Sequence, residues 1–226
     1  MKSRLNYTVL ALLLFIWAGC NNSDTTGVDE PDVIMLDARL FLMESAESPA
    51  LTATFNGAKI DSLMDGVNEV WQQADIRWKI TDIQTVEADS GAHFESILNS
   101  RFNFSFSIIQ STIPENTYSE DKWDIFLIRD IGQRLGGVYF SDITSVYQAE
   151  IDPFGVEGLE GGLIRILSHE LAHSLGLPHV PCTSLGNLMA PGCPQGERTR
   201  LNDEQIDIIR DNAVDGKPVK NLGAVN

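Results

Sequence analysis

From residue 33 onward the apolar positions change period several times, and each change predicts an element. Residues 33–42 are apolar-rich and short enough to form a first strand. From Ile60 the apolar positions fall at Ile60, Leu63, Met64, Val67, Val70 and Trp71. That is the i, i+3, i+4, i+7 spacing of a helix burying one face, and it runs to about Gln73. Ile76, Trp78 and Ile80 then alternate with Arg77 and Lys79, as one face of a strand does. A short helix is expected over 94–101, followed by a long surface connection before Trp123. Within 124–130, Ile125-Phe126-Leu127-Ile128 is a continuous apolar run that suggests a buried strand. Residues 136–140 and 145–151 read as two shorter strands, and Pro153, Gly155, Gly158, Gly161 and Gly162 mark a loop.

Helical spacing resumes with Leu163, Ile164, Ile166, Leu167, Leu171, Ala172 and Leu175, and Gly176 ends it. A last helix begins near Leu201, where Asn202 and Gln205 fit an N-cap with its reciprocal capping residue. Leu201 and Ile206 fit a hydrophobic staple there. Ile206, Ile208 and Ile209 should give that helix its packing face. Strand, helix, several strands and helix make an α/β (α+β) domain over 33–215, with 216–226 as a loose tail.

The first twenty residues follow another logic. Lys2 and Arg4 precede an uninterrupted apolar run over 9–18, too short to span a bilayer and suited to a signal-peptide core. Trp17-Ala18-Gly19-Cys20 resembles a bacterial lipobox, which implies cleavage before Cys20 and lipidation of that cysteine. An ordinary cleaved signal and an uncleaved anchor are the alternatives. Residues 21–32 read as a polar, acidic tether, so the expected location is the bacterial cell envelope, lipid-anchored and extracytoplasmic. The formal charge of −16, with no basic stripe, would repel nucleic acid. A monomer is expected. If Cys20 carries lipid, Cys182 and Cys193 remain, and in an oxidising compartment they could close a small loop. Two buried free thiols are the other reading.

Candidate chemistry is concentrated on the helix that starts at Leu163. In His169-Glu170-Leu171-Ala172-His173 the two histidines lie four apart, on one helical face, and can bind one metal. Glu170 projects at a neighbouring angle, near the metal without being forced to ligate it. Gly176 allows a reversal that can deliver His179 as a third nitrogen ligand. Three protein ligands leave zinc an open position for water, which a catalytic site requires. Of four histidines in the chain only His93 lies outside this stretch, and it has no partner by spacing. Structural calcium has carboxylates available to it, but no EF-hand-like spacing supports it.

These residues carry a family resemblance. His169 to His179, with Gly176 between, resembles the extended zinc motif of the metzincin metallopeptidases. Asn187-Leu188-Met189-Ala190-Pro191 resembles their methionine turn. The resemblance implies a two-lobed domain with a twisted, mostly parallel sheet, an active-site helix and a C-terminal helix. It implies one Zn2+ on His169, His173 and His179, with Glu170 as general base and Met189 as a hydrophobic base beneath the metal. Pro191 stands where some members carry a tyrosine ligand. That is closer to the matrixin and adamalysin pattern, in which such a proline helps wall the specificity pocket. Cysteines bracketing the turn, as Cys182 and Cys193 do, are somewhat adamalysin-like. The resemblance further implies that the strand with Gly137, Val138 and Tyr139 pairs with an extended substrate, unless that strand is interior. The expected function is zinc-dependent hydrolysis of peptide bonds in protein or peptide substrates. A surface lipoprotein using this fold for partner binding, and a zinc amidohydrolase on a non-protein substrate, are the alternatives.

Overall fold

The computed structural model describes residues 32–100, 105–132, 136–150, 159–184, 186–191 and 198–220. Strand β1, Ile34–Glu44, buries Leu36, Ala38 and Leu40 on one face and Phe41 and Met43 on the other. Helix α1, Gly57–Trp71, starts where the Asn56 side chain accepts the Lys59 N–H, and it buries Ile60, Leu63, Met64, Val67 and Trp71. A tight turn over Gln72–Ala74 follows, and Asp75 at φ 51° swings the chain into β2, Ile76–Glu87. This strand outlasts the alternation that predicts it. Ala38 pairs with Ile80 but Arg39 with Asp82, so Thr81 is an extra residue, and such a bulge resets the face of every later side chain. Beyond it β2 is mostly exposed and is held by its pairing with β1.

Helix α2, Gly91–Ser100, begins earlier than expected, and Arg101 lies outside the described residues. The expected surface connection before Trp123 is at the surface only in its second part, 114–122. It holds helix α3, Phe106–Gln110, and buries Ile109 and Ile113, because the second face of the sheet needs cover there. Strands β3 (Trp123–Ile128), β4 (Gly137–Phe140) and β5 (Ser145–Ala149) complete a five-stranded sheet in the order β2-β1-β3-β5-β4. All neighbours are parallel except β4, which runs antiparallel to β5 at one edge.

Helix α4, Leu159–Ser174, includes Gly161 and Gly162, which the glycine pattern had assigned to a loop. Each glycine costs a helix about 1 kcal/mol relative to alanine, a cost that burying this helix from Gly162 onward outweighs. Pro153, Gly155 and Gly158 lie outside the described residues. Helix α5, Asp203–Val214, has both halves of the capping box at Asn202 and Gln205. Its packing face is narrower than expected. Ile209 is buried and Ile206 half-buried, but Ile208 is exposed, since residues two apart cannot share a helical face.

One face of the sheet packs on α1, α4 and α5, and the other, at the C-terminal end of β1 and β3, on α2 and α3. Trp78 sits edge-on to Trp71 at 5.5 Å and to Trp123 at 5.3 Å, joining α1, β2 and β3 in the first core. The start of the expected loose tail is tied down: Val219 N–H donates to Ser174 O, and the Tyr139 hydroxyl donates to Val219 O. No helix among the described residues is long and apolar enough to cross a membrane.

Gly66 brings α1 close to α4. A Cβ there would lie 2.2 Å from Ile164 Cδ1 and 2.7 Å from Cγ1. Alanine gains about 1 kcal/mol in helix propensity, but overpacking costs about 1–3 kcal/mol. Gly66→Ala should therefore unfold at a lower urea midpoint than wild type. A higher midpoint would show that the two helices can part freely.

Candidate metal centre

Helix α4 carries His169, Glu170 and His173, all buried, and the chain must stop and reverse to add a third ligand. Gly176 makes the reversal possible. It adopts φ +93°, and a Cβ there would meet Asn212 Nδ2 at 2.7 Å. Its N–H donates to His173 O, Leu177 N–H donates to Ala172 O, and His179 follows from outside the helix.

The three rings turn their Nε2 atoms towards one point. The separations are 3.0 Å for His169–His173, 3.0 Å for His169–His179 and 3.1 Å for His173–His179. His169 Nδ1 donates to Leu188 O at 2.8 Å, and His173 Nδ1 donates to Leu177 O at 2.7 Å. Those carbonyls can only accept, so each ring carries its proton on Nδ1. The 3.0 Å contact between the two Nε2 atoms therefore joins two lone pairs and is not a hydrogen bond. A cation held between the rings would relieve that repulsion. Zinc–nitrogen bonds of about 2.0–2.1 Å in a tetrahedron give nitrogen separations of about 3.3 Å, so the donor set fits zinc in chemistry and in size. Burial pushes His169 down to about 3 and His173 down to about 4, which keeps both imidazoles neutral and able to ligate. No other group of histidine, cysteine and carboxylate side chains among the described residues converges in this way, and His93 is exposed on α2.

Glu170 is the next residue along the same helix. Burial pushes its carboxyl up to about 8, against the pull of a hydrogen bond from the Tyr139 backbone N–H and of the Arg165 charge. That bond needs β4 to lie directly on α4, and glycine permits it. A Cβ on Gly137 would lie 2.9 Å from both Glu170 Cγ and Ile166 Cγ2. One on Gly136 would lie 2.2 Å from Ile166 Cδ1.

Strand β4 is the edge strand, which answers the question its sequence left open. Ala149 N–H donates to Gly136 O, and antiparallel pairing alternates, so Val138 and Phe140 also bond β5. The backbone groups of Gly137 and Tyr139 then point away from β5, and the Tyr139 N–H is taken up by Glu170. Their side-chain environments are less open: Val138 packs on the second core, and Tyr139 packs on the first.

The turn at 187–191 lies against the centre through its backbone. Leu188 supplies the carbonyl for His169, and Met189 O accepts the Val180 N–H beside His179. Met189 is fully buried in the first core with Leu171 and Ala172, while Pro191 is exposed. Cys182 is disulfide-bonded, so it is not a free thiol; its expected partner Cys193, like Cys20, lies outside the described residues. Gln148 is a residue the sequence reading passed over. It is fully buried with Oε1 unpaired, and that atom would lie 3.1 Å from a Cβ on Gly137, beside Glu170. A glutamine among the apolar residues of a short strand was the signal available.

No family profile matches this sequence, and no curated protein matches it. Solved structures do. Archaemetzincin from Methanopyrus kandleri matches with a TM-score of 0.51 at 15% identity, over 78% of this chain and 95% of that one. Promirolysin from Tannerella forsythia matches with a TM-score of 0.56 at 12% identity, over 83% of this chain and 85% of that one. At such identities the likeness is one of fold. The chain thus has the metzincin-like fold that the motif resemblance implied, with its mostly parallel sheet and helices.

Proposed function

We propose that this chain is a zinc-dependent endopeptidase. The observation that carries the reading is the convergence of the Nε2 atoms of His169, His173 and His179 on one point, beside a buried carboxyl and an edge strand. His169, His173 and His179 would hold the metal. Zinc, when bound, supplies Lewis acidity that lowers the pKa of a water molecule towards about 7 and polarises a carbonyl. Glu170, in its ionised form, would take the proton that water gives up and return it to the leaving amine. The Tyr139 N–H keeps the carboxylate turned towards its task. Gly137 offers outward N–H and C=O groups to an extended peptide, which would add as a strand to β4. Met189 would lie beneath the metal, and Pro191 would border the specificity pocket. We further assign lipidation to Cys20 and residence in the cell envelope, with the domain acting as a monomer on proteins or peptides.

Incubation of the chain with unfolded proteins should give cleavage that a chelator stops and zinc restores. Glu170→Gln should lower the rate by about 10²–10⁴-fold with one zinc still bound per chain. Cleavage unaffected by chelator, or by loss of Glu170, would sink the proposal. Gly137→Val places methyl groups against Glu170 Cγ and should cost about 100-fold in kcat/KM, because a displacement on the order of 1 Å at a catalytic group has that effect. Metal content should not change, and full activity would show that β4 does not set the position of the base. For the anchor, Cys20→Ala should move the protein from the membrane fraction to the soluble one in cell fractionation.

A further inference from the structure

Two buried amides lie behind the centre, outside the donor set. Asn187 Nδ2 donates to Gln205 Oε1 at 2.7 Å, and Gln205 Nε2 donates back to Asn187 Oδ1 at 3.3 Å. Each oxygen also accepts a backbone N–H: Asn187 Oδ1 from Met189 at 2.9 Å, and Gln205 Oε1 from Asn202 at 3.0 Å. Those two backbone donors fix which way each amide points, because a flipped amide would set NH2 against N–H.

The Met189 N–H and the Leu188 C=O belong to one peptide unit. Asn187 Oδ1 holds its N–H side, and its carbonyl accepts His169 Nδ1–H at 2.8 Å. A trans peptide is planar, so fixing one side fixes the direction of the other. The chain of contacts runs from Gln205 to Asn187, through that peptide plane, to the ring of His169. We infer that Asn187 and Gln205 are positioning residues for the metal: they set the angle at which His169 presents Nε2. This rests on the reading of the three histidines as zinc ligands.

Asn202 provides the control. Its side chain accepts the Gln205 N–H at 2.8 Å and caps α5, a hydrogen bond within the start of that helix and not to Asn187 or the turn. The test uses the full-length chain as wild type, Asn187→Ala, Gln205→Ala and Asn202→Ala. Zinc affinity is measured by competition with a chromogenic chelator, ligand-field geometry by the visible absorption of the cobalt-substituted protein, and stability by thermal melting without metal. Asn187→Ala and Gln205→Ala should weaken zinc binding by about 10–100-fold, as removal of outer hydrogen-bond partners does, and should shift the cobalt bands. Asn202→Ala should melt earlier yet keep zinc affinity within about twofold and leave the bands in place. Gln205→Ala keeps the backbone contacts of the turn, so it carries the test if Asn187→Ala does not fold. Wild-type affinity and bands in Gln205→Ala would overturn the inference, as would an equal loss in Asn202→Ala. A wild type that takes up no zinc would overturn the ligand reading itself, and the inference with it.

Discussion

Burial of α4 from Ile166 to Ser174 is the constraint on which the centre depends. Packed against α1, β4 and β5, this stretch holds His169, Glu170 and His173 away from water. Each of these three must be satisfied inside the protein or change its charge state. His169 and His173 meet that demand by donating Nδ1–H to Leu188 O and Leu177 O, both beyond the end of α4. The same burial makes a second proton unfavourable on either ring. Their Nε2 lone pairs then point at each other and towards His179 Nε2, and a cation set between them would be shared by all three rings. The protein thus prepares the donor set by desolvation and hydrogen bonding.

On Glu170 the same burial acts with the opposite sign of charge. Removal from water favours the neutral carboxyl, and the Tyr139 N–H partly offsets this by stabilising the anion. A backbone donor reaches that carboxylate only because Gly136 and Gly137 let β4 lie flat on α4. The strand we assign to substrate and the carboxylate we assign to proton transfer therefore share a hydrogen bond. A peptide added to the outer edge of β4 would therefore lie along the strand whose N–H orients the base.

What was legible in the sequence is what local geometry encodes. The α1 face, the stop at Gly176, the capping box and the placing of His169, Glu170 and His173 all follow from contacts within a few residues. The departures arise where distant packing decides. Gly161 and Gly162 look like loop residues because propensity is local, whereas the burial that keeps them helical comes from other elements. Ile109 and Ile113 looked like surface because their partners, such as Phe41 and Phe126, lie far away in the chain. The bulge at Thr81 broke the alternation that strand reading relies on, and β2 ran on past it. Edge or centre was undecidable for β4, since a strand's neighbours are not written in its own residues.

Gln205 shows the same boundary inside one side chain. A carbonyl oxygen has two lone pairs, and the capping box uses one of them, for the Asn202 N–H. Any sequence with this cap predicts that bond. The second lone pair is free to accept whatever packs beside it, and the docking of α5 on the turn makes that partner Asn187. A glutamate at this position would cap as well, but it has no N–H to return to Asn187 Oδ1. The amide is thus the choice that serves helix and turn together, and the local rule that explains half of its contacts cannot explain why it is an amide. The reason lies one peptide plane from His169.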